Sequence, residues 1–359
     1  MGSAGESPIR FGFVTPYFQG LDWARHCEVS GADLITCGEG PTVFDDPTLS
    51  LALYAEATTR VRLGPSVTAP GLRHPAVLAN TYSTLQKLSG GRAFLGIGTG
   101  DLSLIQIGER PYRLDAFLEY ALAVRGLCAG EEVTYGGKPL KLEWTAGPVP
   151  LWFGADAPRA LGLAGQHADG VIVGQAFHPD IVEHVRQHVG AGAAAAGRSL
   201  DDDIEIWYVL RALVTDEEHG AIRIDGLDEY AARQTFFLWR MAGKPERSEL
   251  AAELARRKGL TIDDDVAERL SGFTADYDEA LAFNSKHNVH LLERYGLTDW
   301  AGRLFYKSGP LEQVVAQVGE LVAAGATNFL VPFMVGDTTK GVDQTAELFT
   351  ALRASRAAA

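Results

Sequence analysis

The stretch "VRLGPSVTAPGLRHPAVLANTYSTLQKLSGGRAFLGIGTGD", residues 61–101, contains the pattern that decides the fold. An apolar run with β-branched residues at 61–69 indicates a strand, and a longer helical stretch follows it. The glycine pair in "KLSGGR" ends that helix, and a second apolar run at 92–100 indicates another strand. Strand, helix and strand in this order are typical of a βαβ unit, whose two strands are parallel.

Three alternating glycines, Gly96, Gly98 and Gly100, close this stretch. They are similar to the start of a dinucleotide-binding fingerprint, but Asp101 stands where that fingerprint requires its next glycine. The sequence therefore does not predict a Rossmann-type nucleotide site. Instead, we expect these glycines to remove side-chain bulk where a flat ring or a phosphate approaches the backbone.

The same alternation of strands and helices extends in both directions along the chain. It predicts eight parallel strands, at residues 10–16, 32–38, 61–69, 92–100, 150–156, 170–177, 204–214 and 327–335. Eight strand–helix pairs favour an α/β fold in which the sheet closes on itself, a (β/α)8 TIM barrel. Active sites of such barrels lie at the carboxyl ends of the strands, where the alternating glycines fall.

The interval 217–309 follows the seventh strand and shows helical patterns without a further barrel strand. We interpret it as a helical insertion within one domain that spans residues 1–359. Loops and insertions at this end of a barrel commonly form lids or interfaces. The segment 230–243 offers aromatic and cationic side chains that could shape a pocket or a dimer surface.

Composition excludes several classes of partner. The net charge of −14 argues against nucleic acid and anionic membranes, because binding to either needs clustered Lys and Arg. We find no signal peptide and no apolar run of the roughly 20 residues that a transmembrane helix needs. The three cysteines have neither a metal-binding nor a CxxC spacing. We therefore expect a cytoplasmic protein without a metal site.

Two blocks of the sequence resemble one known family. They are residues 61–101 and "VPLWFGADAPRALGLAGQHADGVIVG" at 149–174, and they occur in the family's order. The chain resembles the luciferase-like monooxygenase superfamily over about 10–215 and again over about 310–354. It is most similar to the branch that uses the deazaflavin coenzyme F420, which includes methylenetetrahydromethanopterin reductases and F420-dependent glucose-6-phosphate dehydrogenases. The resemblance implies an oxidoreductase on a TIM barrel.

The resemblance also implies where the coenzyme ring binds. In that family a non-proline cis peptide after the third strand forms a bulge against the ring, and the matching bond here joins Ser66 to Val67. Thr68 is the next residue of the same segment and joins the expected coenzyme contacts.

The end of the fourth strand supplies a second part of the implied ring site. Thr99 and Gly100 match family residues that contact the ring or the ribityl phosphate, and Asp101 matches a position where an acidic residue sometimes occurs. Asp101 is thus a candidate for proton transfer. Its side chain could equally cap the helix that follows.

The second block matches the family's phosphate-binding loop. Its backbone N–H groups and the following helix amino terminus receive the coenzyme phosphate. The matching residues here are Gly154, Ala155, Asp156 and Ala157, with Gly174 at the end of the next strand. Asp156 departs from the usual glycine-rich form and brings a negative charge towards the phosphate. We expect its side chain to point away or to cap the helix.

The loop after the second strand departs from the family pattern as well. Deazaflavin-using relatives often carry Asp-His there, whereas this chain reads "TCGEGP" at 36–41. Glu39 is the carboxylate available in place of the histidine, and it could transfer a proton if burial shifts its titration. A solvent-exposed loop residue is the alternative interpretation.

Five further residues near the expected strand ends are candidates for substrate contacts. They are Thr15, Cys37, His178, Trp207 and Arg211. Arg211 would contact an anionic substrate. Cys37 and Trp207 could instead be packing residues, because no base is evident beside the thiol and an indole suits a barrel core.

These observations predict a coenzyme F420-dependent oxidoreductase that transfers hydride between the C5 carbon of the deazaflavin and a small organic substrate. A two-component monooxygenase that uses FMN and a separate flavin reductase is the first alternative. A non-catalytic flavin-binding or ligand-binding barrel is the second. The resemblance favours a homodimer.

Overall fold

The computed structural model describes residues 8–174, 178–214, 231–232, 235–236, 262–278, 286–332 and 338–358. The chain divides into two compact units. The first unit comprises Met1–Leu210, Gly319–Phe333 and Asp337–Ala359, and the second comprises Arg211–Val318 and Met334–Gly336.

The first unit is built on a sheet of eight strands, all paired in parallel, in the order β3-β2-β1-β12-β9-β8-β7-β4. The strands are β1 (Arg10–Thr15), β2 (Leu34–Cys37), β3 (Arg62–Pro65), β4 (Leu95–Ile97), β7 (Leu151–Gly154), β8 (Gly170–Val173), β9 (Glu205–Val209) and β12 (Asn328–Pro332). Each lies within one of the eight predicted strand segments. Residues 175–177 and 333–335 of those segments are outside the described residues.

The two outer strands of that order, β3 and β4, meet and close the barrel. Single parallel bridges join Leu63 to Ala93 and Thr68 to Ile97. Beside the second bridge, the Thr68 N–H donates to the Gly96 carbonyl oxygen at 2.9 Å. The predicted (β/α)8 TIM barrel is therefore confirmed, and its closing seam contains the segment between the two bridges, residues 64–67.

Large side chains fill the interior of this barrel. Phe94 and Trp152 stack with ring centroids 4.1 Å apart, and Trp152 stacks on Trp207 at 6.1 Å. The buried cluster to which they belong contains Leu34, Phe94, Trp152, Ile172, Trp207 and Leu330. Its members come from six different strand segments, so the interior is packed with side chains rather than open.

The amino ends of the strands carry an ion-pair network. Arg62 donates to both carboxylate oxygens of Glu205, at 2.6 and 3.2 Å, and Arg10 lies 3.2 Å from the same carboxylate. The Arg62 guanidinium also covers the rings of Trp152 and Trp207. Networks at this end of a barrel contribute to stability rather than to chemistry, which leaves the opposite end for the site.

Helices connect the strands of the first unit: α1 (Leu21–Val29), α2 (Pro47–Ala57), α3 (Pro75–Leu88), α4 (Asp101–Ile105), α5 (Leu114–Cys128), α6 (Pro158–His167), α7 (Pro179–Ala195), α8 (Leu200–Asp203) and α13 (Thr338–Ala357). Asp46 caps α2 by accepting the Thr48 N–H at 2.8 Å, and Pro47 occupies the first turn. A hairpin of β5 (Val133–Tyr135) and β6 (Lys138–Leu140) turns at two glycines with positive φ. Among the described residues no helix is long and apolar enough to cross a membrane.

The predicted seventh strand, 204–214, is two strands rather than one. The Leu210 N–H still donates to the Leu330 carbonyl oxygen at 2.8 Å, within the barrel sheet. From Arg211 onward the chain pairs elsewhere, and β10 (Ala212–Val214) lies parallel to β11 (Lys307–Gly309) in the second unit. Apart from Arg211, the residues next to this change of partner are apolar, so periodicity alone does not reveal it.

The second unit also contains α9 (Asp264–Asp276), α10 (Lys286–Arg294) and α11 (Thr298–Phe305); α12 (Leu311–Ala323) follows β11, and the chain returns to the first unit within it. The predicted insertion 217–309 falls inside this unit and includes β11 as well as helices. The sequence predicts one domain over residues 1–359 with this segment as an insertion, and that assignment stays a prediction. Most of the segment 230–243 lies outside the described residues.

Glu28 ties α1 to the turn between α2 and β3. Its carboxylate accepts the backbone N–H groups of Thr59, Arg60 and Val61 at 2.6–3.0 Å. Burial alone would raise the pKa of Glu28, but these hydrogen bonds outweigh it and lower the pKa to about 2. The ionised carboxylate therefore stabilises this corner of the barrel.

Glu28→Gln is expected to lower the free energy of unfolding at pH 7 by about 1–3 kcal/mol, because charge-assisted hydrogen bonds are lost. The folded-state pKa lies below the value of about 4.3 in the unfolded chain, so the carboxylate's contribution is present above that value. It is lost as the pH falls towards 2. Urea unfolding at pH 7 and pH 3 measures this change. The control is Asp22→Asn, because the Asp22 side chain is 99% exposed. An equal gap between variant and wild type at both pH values would contradict the prediction.

Candidate functional site

The predicted site residues at the ends of β1, β2 and β3 lie side by side. Thr15 is opposite Cys37 in the register of β1 and β2, and Cys37 is opposite Pro65 in that of β2 and β3. The Ser66 N–H then donates to the Cys37 carbonyl oxygen at 2.9 Å. Three neighbouring strands therefore bring their carboxyl ends together where the bulge begins.

The bulge itself consists of Ser66 and Val67, and the peptide bond between them is cis. This confirms the bond that the family resemblance implies. The hydroxyls of Ser66 and Thr36 lie 2.7 Å apart, and the Thr36 hydroxyl donates to the Phe13 carbonyl oxygen at 3.1 Å. Because Thr36 has one hydroxyl proton, Ser66 is the donor to Thr36. The bulge is thereby tied to β2 as well as to β4.

The glycines of β4 and β7 leave space for Val67. A Cβ added at Gly98 would lie 2.8 Å from Cγ2 of Val67, and one added at Gly154 would lie 3.0 Å from the same atom. A Cβ added at Gly96 would lie 2.3 Å from the Pro65 carbonyl oxygen. The sequence interpretation gave the space at these alternating glycines to a ring or phosphate. The structure corrects this at Gly96 and Gly98, because Val67 and the β3 backbone occupy the space beside them.

Glu39 is buried rather than solvent-exposed, which settles the alternative left open by its loop position. Its side chain is 5% exposed and forms an ion pair with Arg73 through Oε1. Its other oxygen, Oε2, has no hydrogen-bond partner among the described residues. A second carboxylate, Asp46, lies 3.2 Å from the same guanidinium.

Arg73 holds these two carboxylates from the loop before α3. Burial alone would lower the pKa of Arg73, but the charges of Glu39 and Asp46 outweigh it and raise that pKa. The Tyr120 hydroxyl donates to the Arg73 carbonyl oxygen at 2.8 Å and fixes the loop. A cavity of about 400 Å³ opens beside Glu39, Asp46 and Arg73.

Asp101 begins α4 instead of preceding it as a cap. It is exposed, yet the surrounding protein removes enough water from the carboxyl group to raise its pKa, and a hydrogen bond with Thr99 acts in the opposite direction. Gly100 has φ of +98°, and a Cβ there would lie 2.6 Å from Leu104. These residues form the β4 side of the site.

Asp156 points away from the helix that follows it. Its carboxylate accepts the Gly174 N–H at 2.9 Å, so it connects the ends of β7 and β8 and does not cap α6. The residue at the cap position is Ala157, which has no side-chain acceptor for the N–H groups of the first turn. Ala155 is 6% exposed and donates its N–H to Ile172 at 3.1 Å. The first turn of α6 can therefore bind an anion through its own N–H groups.

The five candidate substrate contacts separate into different roles. Trp207 is fully buried in the barrel interior and donates its indole N–H to Glu205 at 2.9 Å, which corresponds to the packing alternative. Burial raises the pKa of the Cys37 thiol, and the nearby Asp45 charge adds to this, which favours packing over nucleophilic chemistry. His178 caps α7 through Nδ1, which accepts the Asp180 N–H at 3.2 Å.

Thr15 and Arg211 are the remaining two of these candidates. The Thr15 hydroxyl is buried and donates to the Tyr17 carbonyl oxygen at 2.6 Å. Arg211 belongs to the second unit, at the start of its parallel strand pair. Their contacts with a substrate stay predictions. Thr68 is 1% exposed, and its hydroxyl has no hydrogen-bond partner among the described residues.

Sequence reasoning did not single out Arg73. The available signal is its position, directly before the His74–Pro75 start of α3. Since β2 and β3 are neighbours, the loops that follow them meet, and an acid in one loop can be paired with a base in the other. Asp46 also lies in the loop after β2, so the same argument predicts that it lies near Arg73.

The eight parallel strands form a barrel. Their carboxyl ends carry the buried Glu39–Arg73 ion pair and the uncapped first turn of α6. This arrangement is typical of the TIM-barrel enzymes. The family model of the luciferase-like monooxygenases matches residues 9–328. The chain belongs to the luciferase-like monooxygenase family and is an oxidoreductase of that family, as the sequence resemblance implies.

Individual relatives agree with this assignment. The chain is 37% identical to the 5,10-methylenetetrahydromethanopterin reductase of Methanolobus tindarius, over 80% of this chain and 82% of that protein. It is 32% identical to the F420-dependent glucose-6-phosphate dehydrogenase of Nakamurella multipartita, over 55% of this chain and 59% of that protein. The solved structure of the coenzyme F420-dependent tetrahydromethanopterin reductase from Methanopyrus kandleri shares the fold, with a TM-score of 0.70, 24% identity and coverage of 95% of this chain and 98% of that one.

Proposed function

We propose that the protein is a coenzyme F420-dependent oxidoreductase, a reductase or dehydrogenase that transfers hydride between the deazaflavin C5 carbon and a small organic substrate. The names of its relatives support the coenzyme. The observation that carries the proposal is the bulge in the closing seam of the barrel. It presents the backbone of Ser66 and Val67 at the strand ends, where Gly96, Gly98 and Gly154 make room for the Val67 side chain.

The residues present fit an anionic deazaflavin. The first turn of α6 offers N–H groups that the cap residue, Ala157, does not engage with its side chain, Arg159 in that turn is exposed, and the Asp156 carboxylate is engaged by Gly174. These features favour a phosphate there. The residues that would hold the coenzyme are Ser66 and Val67 at the bulge, Thr99 and Gly100 after β4, and Ala157 with the first turn of α6. The N–H groups of Ala155 and Gly174 are already donated to Ile172 and Asp156, Val67 fills the space beside Gly154, and Thr68 is 1% exposed. When bound, the deazaflavin supplies or accepts the hydride.

Two carboxyl groups in different environments are available for proton transfer. Because the pKa of Asp101 is raised, its carboxyl group keeps a proton to higher pH and is suited to donate it. Glu39 is the second candidate: it forms an ion pair with Arg73 through Oε1, which favours contact with a positively charged part of the substrate.

Titration of the purified protein with oxidised F420 and, separately, with FMN tests the proposal. We expect the deazaflavin to bind in the micromolar range, about tenfold or more tighter than FMN, which corresponds to about 1.4 kcal/mol or more. Quenching of coenzyme fluorescence measures both affinities. The reverse preference, together with oxygen consumption in the presence of reduced FMN, would replace the proposal by the two-component monooxygenase. Binding of F420 without turnover across a panel of hydride acceptors and donors would favour the non-catalytic barrel.

Two further expectations stay predictions. A homodimer could form through α2 and α3, which expose the apolar side chains of Leu49, Leu53, Val77 and Leu88. Cytoplasmic localisation rests on composition and on the cysteines, which are free and buried.

A further inference from the structure

The cavity beside Glu39 has an excess of negative charge. Its lining includes three carboxylates, those of Glu39, Asp45 and Asp46, and one guanidinium, that of Arg73. Arg73 is already engaged, because it pairs with Glu39 through Oε1 and with Asp46 through Oδ2. An anionic ligand placed here would meet this excess, whereas a cation would reduce it.

Glu39 provides an unused acceptor at this place. Its side chain is 5% exposed, and its Oε2 has no hydrogen-bond partner among the described residues. A buried carboxylate oxygen without a partner is costly. Positive charge in the cavity that Glu39 lines would offset part of this cost by attraction between the charges. Among the described residues, the donor to the Asp45 carboxylate is the neutral Phe18 N–H at 2.9 Å, which leaves the charge of Asp45 uncompensated by that contact.

An aromatic ring completes the lining. Phe44 packs against the loop backbone, since a Cβ added at Gly40 would lie 2.8 Å from its Cδ2. The edge of Tyr17 also contacts it, with ring centroids 5.9 Å apart at 89°. The glycine at position 40 therefore leaves room for the Phe44 ring, which lines the cavity together with the carboxylates. Carboxylates together with an aromatic ring are the features that recognise alkylated ammonium groups.

We infer that this cavity binds a small organic cation, an ammonium group that carries alkyl substituents, and that this group belongs to the substrate. The second half of the inference rests on the proposed function, whereas the binding itself needs no coenzyme. A volume of about 400 Å³ is within the range of small-molecule sites. Substrates whose only charged groups are phosphates or carboxylates are excluded from this cavity by the same charges.

The test compares choline with 3,3-dimethylbutan-1-ol, which has the same shape but a carbon atom in place of the charged nitrogen. Isothermal titration of the full chain at low ionic strength measures both affinities. We expect choline to bind about tenfold or more tighter than the alcohol. Equal affinities, or no binding of choline at millimolar concentration, would overturn the inference.

Variants assign the binding to this cavity. Glu39→Gln is expected to weaken choline binding about tenfold and to leave the alcohol unaffected, because only the charge is removed. Phe44→Leu is expected to weaken choline binding about threefold to tenfold through loss of the aromatic face. Asp22→Asn removes one negative charge from an exposed position on α1 and serves as the matched control, with choline affinity unchanged. Asp45→Asn replaces Glu39→Gln if the latter does not fold, which a thermal melt establishes.

The F420 titration of the same protein separates this inference from the proposed function. Discrimination between choline and the alcohol without F420 binding would support the cation site and count against the F420 oxidoreductase. Binding of F420 without such discrimination would overturn the cation site alone. A choline affinity that Glu39→Gln and Phe44→Leu leave unchanged would place the cation elsewhere and also overturn the inference.

Discussion

Gly98→Ala is expected to weaken F420 binding about 10-fold to 100-fold. The added Cβ would lie 2.8 Å from Cγ2 of Val67, a separation that real Cβ atoms do not adopt. Val67 cannot simply turn aside, because it packs against the buried cluster of the barrel interior. The backbone of the bulge must therefore shift, and with it the surface proposed to contact the ring.

A second substitution makes this expectation specific. Val67→Ala removes the Cγ atoms that the new methyl group would meet, so the double variant Gly98→Ala/Val67→Ala should recover most of the lost affinity. Gly154→Ala should behave in the same way but more mildly, because its Cβ would lie 3.0 Å from Val67. Gly96→Ala should not be rescued, since its Cβ would lie 2.3 Å from the Pro65 carbonyl oxygen.

Fluorescence titration with F420 and urea unfolding of each variant measure these effects. Gly162→Ala in α6 is the matched control. Outside the helix's own backbone, no atom of the described residues lies within 4 Å of its added Cβ, and alanine favours a helix by up to about 1 kcal/mol. If Val67→Ala fails to improve Gly98→Ala, the contact between β4 and the bulge does not control the site.

The sequence predicts the eight barrel strands because each is a short apolar run, and glycines mark the helix ends before several of them. The caps of α2 and α3 are also predictable, since Asp46 and His74 each precede a proline at a helix start. The division of 204–214 is not predictable in this way. It depends on which strand offers hydrogen bonds beyond Leu210, and the partner β11, with the sequence Lys-Ser-Gly, has no apolar pattern of its own.

The site shows the same limit at the level of single residues. The alternating glycines of β4 are visible in the sequence, but the group that fills their space comes from across the barrel seam, and only the structure identifies it as Val67. Glu39 is visible as a loop carboxylate, whereas its burial follows from Arg73 in the next loop. Local sequence patterns predict the strands and helices. The burial and the partners of the residues at the strand ends depend on contacts with distant segments.

Arg73→Met is expected to lower the free energy of unfolding by about 2–4 kcal/mol, because it leaves the carboxylate of Glu39 buried without its partner. The lower end of that range allows for water that enters from the adjoining cavity and for the 19% exposure of the Arg73 side chain. Removal of a partner from a buried pair costs much more than removal of the whole pair, since the unpaired charge is what destabilises the fold.

The double variant Arg73→Met/Glu39→Gln should therefore be more stable than Arg73→Met alone, and urea unfolding of the four proteins in the cycle measures the coupling directly. The matched comparison is Arg73→Met/Asp46→Asn. Asp46 is 44% exposed, and an exposed ion pair contributes only about 0–1 kcal/mol, so this second cycle should show little coupling. Additive losses in both cycles would mean that Glu39 does not depend on Arg73. A strong coupling confined to Glu39 would identify the pair as the charged centre of this part of the barrel mouth, with Asp46 serving mainly as the cap of α2.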